Sequence, residues 1–217
     1  MSFGSSSAPV ARISRSALAR NIALAHAKDP SAAIDLRRDA CGHGADLVAA
    51  IARDVGVVGL VREGDPETSC LPLEDVYGLE GRGETVMTLV SPVLQVKDLR
   101  AGEGVSYGYW YRPAADTRVA LVSGGYAQGL ARAIGQTGAD PEATVVIADE
   151  EFPIIGRVAM DVCVVETGDA EVWPRDEVVL FGGGRPHLLR QWAIATGWTQ
   201  LELAAIAGLH AHREEIS

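Results

Sequence analysis

The chain has 217 residues, 47% of them hydrophobic and 22% charged, with a formal net charge of −10. That length and balance read as a soluble globular protein of one or two domains with a real core. The acidic surplus argues against nucleic acid or an anionic membrane as a partner, because either is repelled by most of such a surface.

Taken in chain order, residues 1–9 are rich in Ser, Gly and Pro and read as loose. Val10–Ile13 reads as a short strand, and Ser16 as the N-cap of a helix over 17–27 with Leu18 and Ile22 on one face. A strand over 32–37, a glycine-rich loop, a helix over 46–53 and an apolar run Val57–Val61 give a fragment of βαβ character. Residues 62–84, "REGDPETSCLPLEDVYGLEGRGE", break this pattern and read as a linker. From Glu84 the texture changes to short β-branched runs: "TVMTLV", "SPVLQV", "RVALV", "TVVIA", "FPIIGRV", "DVCVVE" and "EVVLF". Separated by turn chemistry, they predict an antiparallel barrel or sandwich. Two helices follow over 187–196 and 199–207, each closed by a glycine, Gly197 and Gly208. His210 and His212 fall on what reads as a frayed tail, with no partner placed to complete a metal site.

Cys41, Cys70 and Cys163 are few, odd in number and unclustered, which fits a reducing compartment and neither a disulfide framework nor zinc. No run approaches a spanning helix, and the N-terminal stretch lacks the charge-then-apolar order of a secretion signal. The cytoplasm is the expected location.

Three stretches carry candidate chemistry. In "GVSYGYWYRP" (104–113), Tyr107 is followed by Tyr109, Trp110 and Tyr111. These read either as cross-strand packing or as a tyrosine held at a strand end facing a cavity. In "GGYAQGLARAIG" (124–135), three glycines surround Tyr126, a structural turn or space beside a ring. In "PIIGRVAMDVCVV" (153–165), Arg157, Met160 and Asp161 interrupt two apolar runs, as a bulge, a rim or a site would.

Together and in this order, "VSYG", "GYA-G" and "GR-x-MD" resemble the alanine racemase family, from about Thr85 to Gly208. The resemblance implies an α+β chain. Residues 1–83 are a truncated βα remnant of the family's pyridoxal phosphate (PLP) barrel plus linker, and 84–217 are an antiparallel β-barrel of the racemase C-terminal type. It places Tyr107 as the family's second catalytic base, presented across a subunit interface. It places Tyr126, Met160 and Asp161 at the substrate pocket and its entrance. Gln128 stands where "GYADG" has an acid, and Leu201 where a phosphate-binding tyrosine is expected.

"LRRDACGHG" aligns with the family's "VKADAYGHG", whose lysine forms the Schiff base with PLP. Here Arg37 occupies the lysine's place and Cys41 that of a phosphate-holding tyrosine, while Asp39, Gly42, His43 and Gly44 persist. Arg37, His43 and Gly44 are thus the cofactor-loop positions. Guanidinium stays protonated and cannot replace a neutral amine. The two lysines of the chain, Lys28 and Lys97, lie outside this loop. A (β/α)8 barrel needs roughly 200 residues or more, against the 83 that precede the β-domain.

Covalent PLP is therefore not expected. The expectation is a racemase-like protein without activity on its own, acting as a binding or regulatory module. The alternative is a PLP-dependent isomerase making D-alanine, alone or by supplying Tyr107 to a full-length racemase. Expected partners are a second copy or a full-length racemase, and a small amino-acid or carboxylate ligand held by Arg37 and Arg38.

Overall fold

The computed structural model describes residues 8–135 and 143–217. The first seven positions of the expected loose N-terminus lie outside them. Strand β1 (Val10–Ser14) leads directly into helix α1 (Arg15–Lys28). The cap is Ser14 rather than Ser16: its Oγ accepts from the Ala17 N–H at 3.2 Å, so the helix starts one residue after the strand ends.

Next come β2 (Ile34–Asp35), the turn α2 (Arg37–Cys41), α3 (Ala45–Asp54) and β3 (Leu60–Val61). β2 and β3 pair in parallel, and Ala33 bridges Cys70 in parallel through the Ala33 N–H to the Ser69 carbonyl. Three short parallel segments thus stand side by side with β2 between the other two. The stretch expected as a linker is partly ordered packing instead. It forms α4 (Leu73–Tyr77) and buries Leu71, Val76, Tyr77 and Leu79, four apolar side chains spaced among its polar ones.

The second part is a closed barrel. The long strand β4 (Met87–Leu99) pairs antiparallel with β5 (Thr117–Ser123), which pairs with β8 (Val162–Glu166). The order continues through β7 (Glu150–Ile155), β6 (Thr144–Ile147) and β9 (Glu177–Phe181), which returns to β4. Six antiparallel strands close without an edge, as the β-branched runs and short turns predict.

Two features extend the barrel. β1 pairs antiparallel with the first residues of β4, so the N-terminal strand belongs to the large sheet. His212–Ile216 form β10, parallel to β1, so the expected frayed tail is an edge strand. The charges of β10 are answered by its neighbours: Arg12 meets Glu214 at 3.8 Å and Arg15 meets Glu215 at 2.6 Å.

Helices α5 (Pro186–Thr196) and α6 (Gln200–His210) follow β9. Gly197 closes α5 in a left-handed conformation as expected, but Gly208 lies inside α6 and serves a contact described below. One continuous apolar core runs from Ala11 and Leu18 through Ile34, Val48 and Tyr77 to Phe181, Trp192 and Ala207. Among the described residues no helix is long and apolar enough to cross a membrane.

Candidate functional site

The loop after β2 is held shut by its own charges. Arg37 donates from Nε to Asp35 Oδ1 at 2.9 Å and from Nη2 to Oδ2 at 2.5 Å, a bidentate pair on the surface. The hydrogen bond from Arg37 holds the Asp35 carboxyl below its usual range, and Asp35 in turn raises the guanidinium's pKa. Arg38 is matched by Glu63, whose Oε1 accepts from the Arg38 backbone N–H at 2.8 Å. Both arginines expected to hold a carboxylate ligand are therefore answered from within the chain.

Arg38 to Cys41 all take left-handed backbone angles, with φ between 51° and 54°. Each such L-residue costs roughly 1–2 kcal/mol, so the surroundings must impose the turn. Asp39 provides one tie: Oδ1 accepts from the Ala45 N–H at 2.7 Å, and Oδ2 meets Arg213 Nη1 at 2.6 Å. Gly42, at φ 79°, provides the other by close approach to α6. A Cβ there would lie 2.8 Å from the Ala205 carbonyl oxygen, and one on Gly208 would lie 2.5 Å from that of Gly42.

His43 is fully buried and stacked on Tyr77. Its Nδ1 lies 3.2 Å from the Ala40 carbonyl oxygen and 3.1 Å from that of Cys41, so Nδ1 carries the proton. Burial lowers its pKa to about 4, and the ring is neutral. Nε2 and the Tyr77 hydroxyl are buried with no hydrogen-bond partner among the described residues. Burial also raises the half-buried Cys41 thiol. The loop thus offers no neutral amine and no thiolate. Lys28 pairs with Asp75 at 3.3 Å, and Lys97 is exposed on β4 opposite Val119.

The other candidates lie in the loops between barrel strands, where the long β4–β5 connection reaches along the barrel to the β7–β8 loop. Tyr107 lies in the β4–β5 connection, where the Val105 N–H donates to the Tyr111 carbonyl. It is 65% exposed, and Tyr109 and Trp110 beside it are equally open. Gly156 packs this loop against the next: a Cβ there would lie 3.1 Å from Ser106 Oγ. Tyr126 begins a 3-10 turn, Tyr126–Gln128. Its N–H donates to the Ala159 carbonyl, and that of Ala127 to the Met160 carbonyl, each at 3.0 Å.

Gln128 Nε2 then donates to Asp161 Oδ1 at 3.0 Å, so the amide in the acid's place bonds a neighbouring carboxylate that an acid would repel. Tyr126, Met160 and Asp161 are thereby brought together, with the Tyr107 loop adjoining. Arg37, His43 and Gly44 belong to the separate loop after β2, with His43 buried beneath it. Helix α6 bridges the two regions: Gly42 abuts Ala205 and Gly208, and Gly129 abuts Ile206 and Ala207. Leu201 packs partly buried against the core.

Tyr77 was missed because it lies in the stretch read as linker; "DVYGL", a tyrosine between apolar residues, was its only trace. Trp110 and Arg132 were also passed over as site residues. With Arg157 and Ala133 they line a cavity of about 280 Å³. Among the described residues no group of three or more His, Cys, Asp or Glu could hold a metal ion.

Residues 86–214 match the family described as "Alanine racemase, C-terminal domain". The chain is 35% identical over 175 residues to an alanine racemase of Thermobifida fusca, covering 79% of this chain and 44% of that protein. It is 40% identical over 139 residues to one of Mycobacterium leprae, covering 59% and 34%. It thus spans less than half the length of these curated relatives. Among solved structures, the alanine racemase from Streptomyces lavendulae matches with a TM-score of 0.81 at 18% identity, over 99% of this chain and 98% of that one. That from Bartonella henselae, solved with covalently bound pyridoxal phosphate, matches with a TM-score of 0.77 at 15% identity, over 97% and 100%. At such identities the structures speak for the fold, and the sequence match speaks for descent. This chain belongs to the alanine racemase family, whose C-terminal domain it carries from Val86 to Glu214.

Proposed function

We propose that this protein has no racemase activity of its own and serves as a binding or regulatory module built on the racemase β-domain. The observation that carries this reading is Arg37, locked to Asp35 at the position where the resemblance puts the PLP lysine. A guanidinium does not lose its proton at physiological pH and forms no Schiff base. The residues around it do not fit the cofactor either: Cys41 is a half-buried thiol in a phosphate-binding tyrosine's place, and Leu201 packs on the core in another's. Covalent PLP chemistry has no foothold in this loop.

On this reading, residues 1–83 are the remnant of a barrel domain, reduced to three short parallel segments and their helices. The cytoplasm suits a chain with three free cysteines. The test is to incubate the purified chain with PLP, reduce with borohydride and measure the intact mass, with L-alanine epimerisation assayed in parallel. Unchanged mass and no D-alanine are expected; a bonded cofactor or turnover overturns the proposal.

A second reading is favoured by the exposure of Tyr107, whose hydroxyl has no partner among the described residues. In it, the chain joins a full-length racemase and supplies Tyr107 across the interface. Mixing the two proteins distinguishes the readings. Co-elution with a rate change that Tyr107→Phe abolishes supports the second; separate elution with no rate change rejects it.

A further inference from the structure

We propose that the cavity between α1, α3 and the end of β10 binds a small organic cation, a primary ammonium carried on a short aliphatic stem. The cavity measures about 380 Å³, within the range of small-ligand sites, roughly 300–1,000 Å³. It is lined by Arg15, Ser16 and Ala19 in the first turns of α1 and by Ile51, Asp54 and Val55 at the end of α3. Ser217 lines it from beyond β10, where its carbonyl accepts from Ser14 Oγ at 3.5 Å.

This cavity is lined by a cation and an anion, and the cation alone is answered. Arg15 donates from Nη1 to Glu215 Oε2 at 2.6 Å. Asp54 is exposed and has no hydrogen bond or ion pair among the described residues. It also occupies the last position of α3, where a carboxylate opposes the helix dipole and a cation is favoured. The N–H groups of Val55, Gly56 and Val57 meet the carbonyls of Ile51, Arg53 and Ala52, while those of Asp54 and Val55 receive no hydrogen bond among the described residues. A free carboxylate beside unmet carbonyls repels anions and suits an ammonium, which is all donor and no acceptor. The rest of the lining is apolar: Ile51 is buried, and Ala19 and Val55 are partly buried against the core. An aliphatic stem laid on these side chains leaves water along with them. The site goes beyond the function proposed above, lies apart from the Arg37 loop and the barrel loops, and stands whether or not the chain binds PLP.

The test titrates the full chain with n-butylamine and, separately, with L-valine at neutral pH and constant ionic strength. Calorimetry and hydrogen exchange of the amides at the end of α3 are the readouts. Saturable binding of butylamine, L-valine or both is expected, and the tighter of the two tells a plain amine from an amino acid as the source. Butyrate, with the same stem and the opposite charge, should not bind. Asp54→Asn should weaken binding about tenfold or more. Asp46→Asn removes the same charge from the exposed first turn of α3 and should leave binding unchanged. Ala19→Leu, which fills the cavity, should abolish binding in a chain whose circular dichroism is unaltered; Asp54→Asn, at an exposed position, keeps the test decisive if that variant does not fold. The proposal is overturned if neither amine binds saturably to the unmodified chain, or if butyrate binds as tightly. It is equally overturned if Asp46→Asn weakens binding as much as Asp54→Asn does.

Discussion

The imidazole of His43 lies flat on the phenol ring of Tyr77, with centroids 3.7 Å apart and planes within 7°. The pair joins the glycine loop to the segment that leads into the barrel, and it sets the acid sensitivity of the fold. A drop in the His43 pKa from 6.5 to about 4 corresponds to about 3 kcal/mol against charging the ring in the folded state. The unfolded chain takes up that proton more readily. Stability is therefore complete above pH 6.5 and falls as the pH drops toward 4. Asp35, whose pKa is lowered, contributes in a different window, lost only as the pH falls below the ordinary carboxylate value. Denaturant melts across this range should show the loss between pH 6.5 and 4. His43→Phe, which keeps a ring on Tyr77 but cannot titrate, should remove it.

The contact between Gly42 and Gly208 leaves no room for a methyl group. An alanine at 208 gains about 1 kcal/mol of helix propensity over glycine, yet its Cβ would stand 2.5 Å from a backbone oxygen that cannot swing away. Gly208→Ala should lower stability by about 1–3 kcal/mol net. An increase in the unfolding midpoint would show that α6 and the loop separate at little cost.

Asp39 makes two bonds that hold a turn of unfavourable backbone angles. Asp39→Ala removes both the bond to the Ala45 N–H at the start of α3 and the ion pair to Arg213 on β10. A loss of about 1–2 kcal/mol is expected, mostly from the helix start, since the ion pair is partly exposed. Arg213→Ala should cost less than Asp39→Ala in the same melt, and the opposite order would reverse the assignment.

Gln128 stands where the resemblance puts an acid, and it is bonded on both sides of its amide. Its Oε1 accepts from the Gly125 N–H at 2.9 Å while Nε2 donates to Asp161. Gln128→Glu preserves length and the first bond but sets two carboxylates against each other. It should cost about 1 kcal/mol at neutral pH and recover as acid protonates one of them. A deficit that does not change with pH would mean the two groups do not interact.

How far the chain could be read from its letters differs from one feature to the next. The β-branched runs and intervening glycine turns announced an antiparallel barrel because strand alternation and turn chemistry are local. The absence of an amine at Arg37 was equally legible, since no fold turns a guanidinium into a neutral nucleophile. The motifs around Tyr107, Tyr126 and Asp161 were visible as glycine-bounded interruptions. The helix start at Ser14 was misplaced by two residues, because both Ser14 and Ser16 are competent caps and only the end of β1 selects between them.

The tertiary structure alone decided which strands pair, that β1 joins β4 and β10, and that β4 meets β9 to close the barrel. It alone put Tyr77 on His43, drew Gly208 against Gly42 and laid Arg157 on Trp110. A strand alternates with period two whatever its partner, and a buried tyrosine looks the same in sequence whichever ring it faces. Local chemistry therefore settled what each residue can do, while contacts between distant parts of the chain settled which residues do it together.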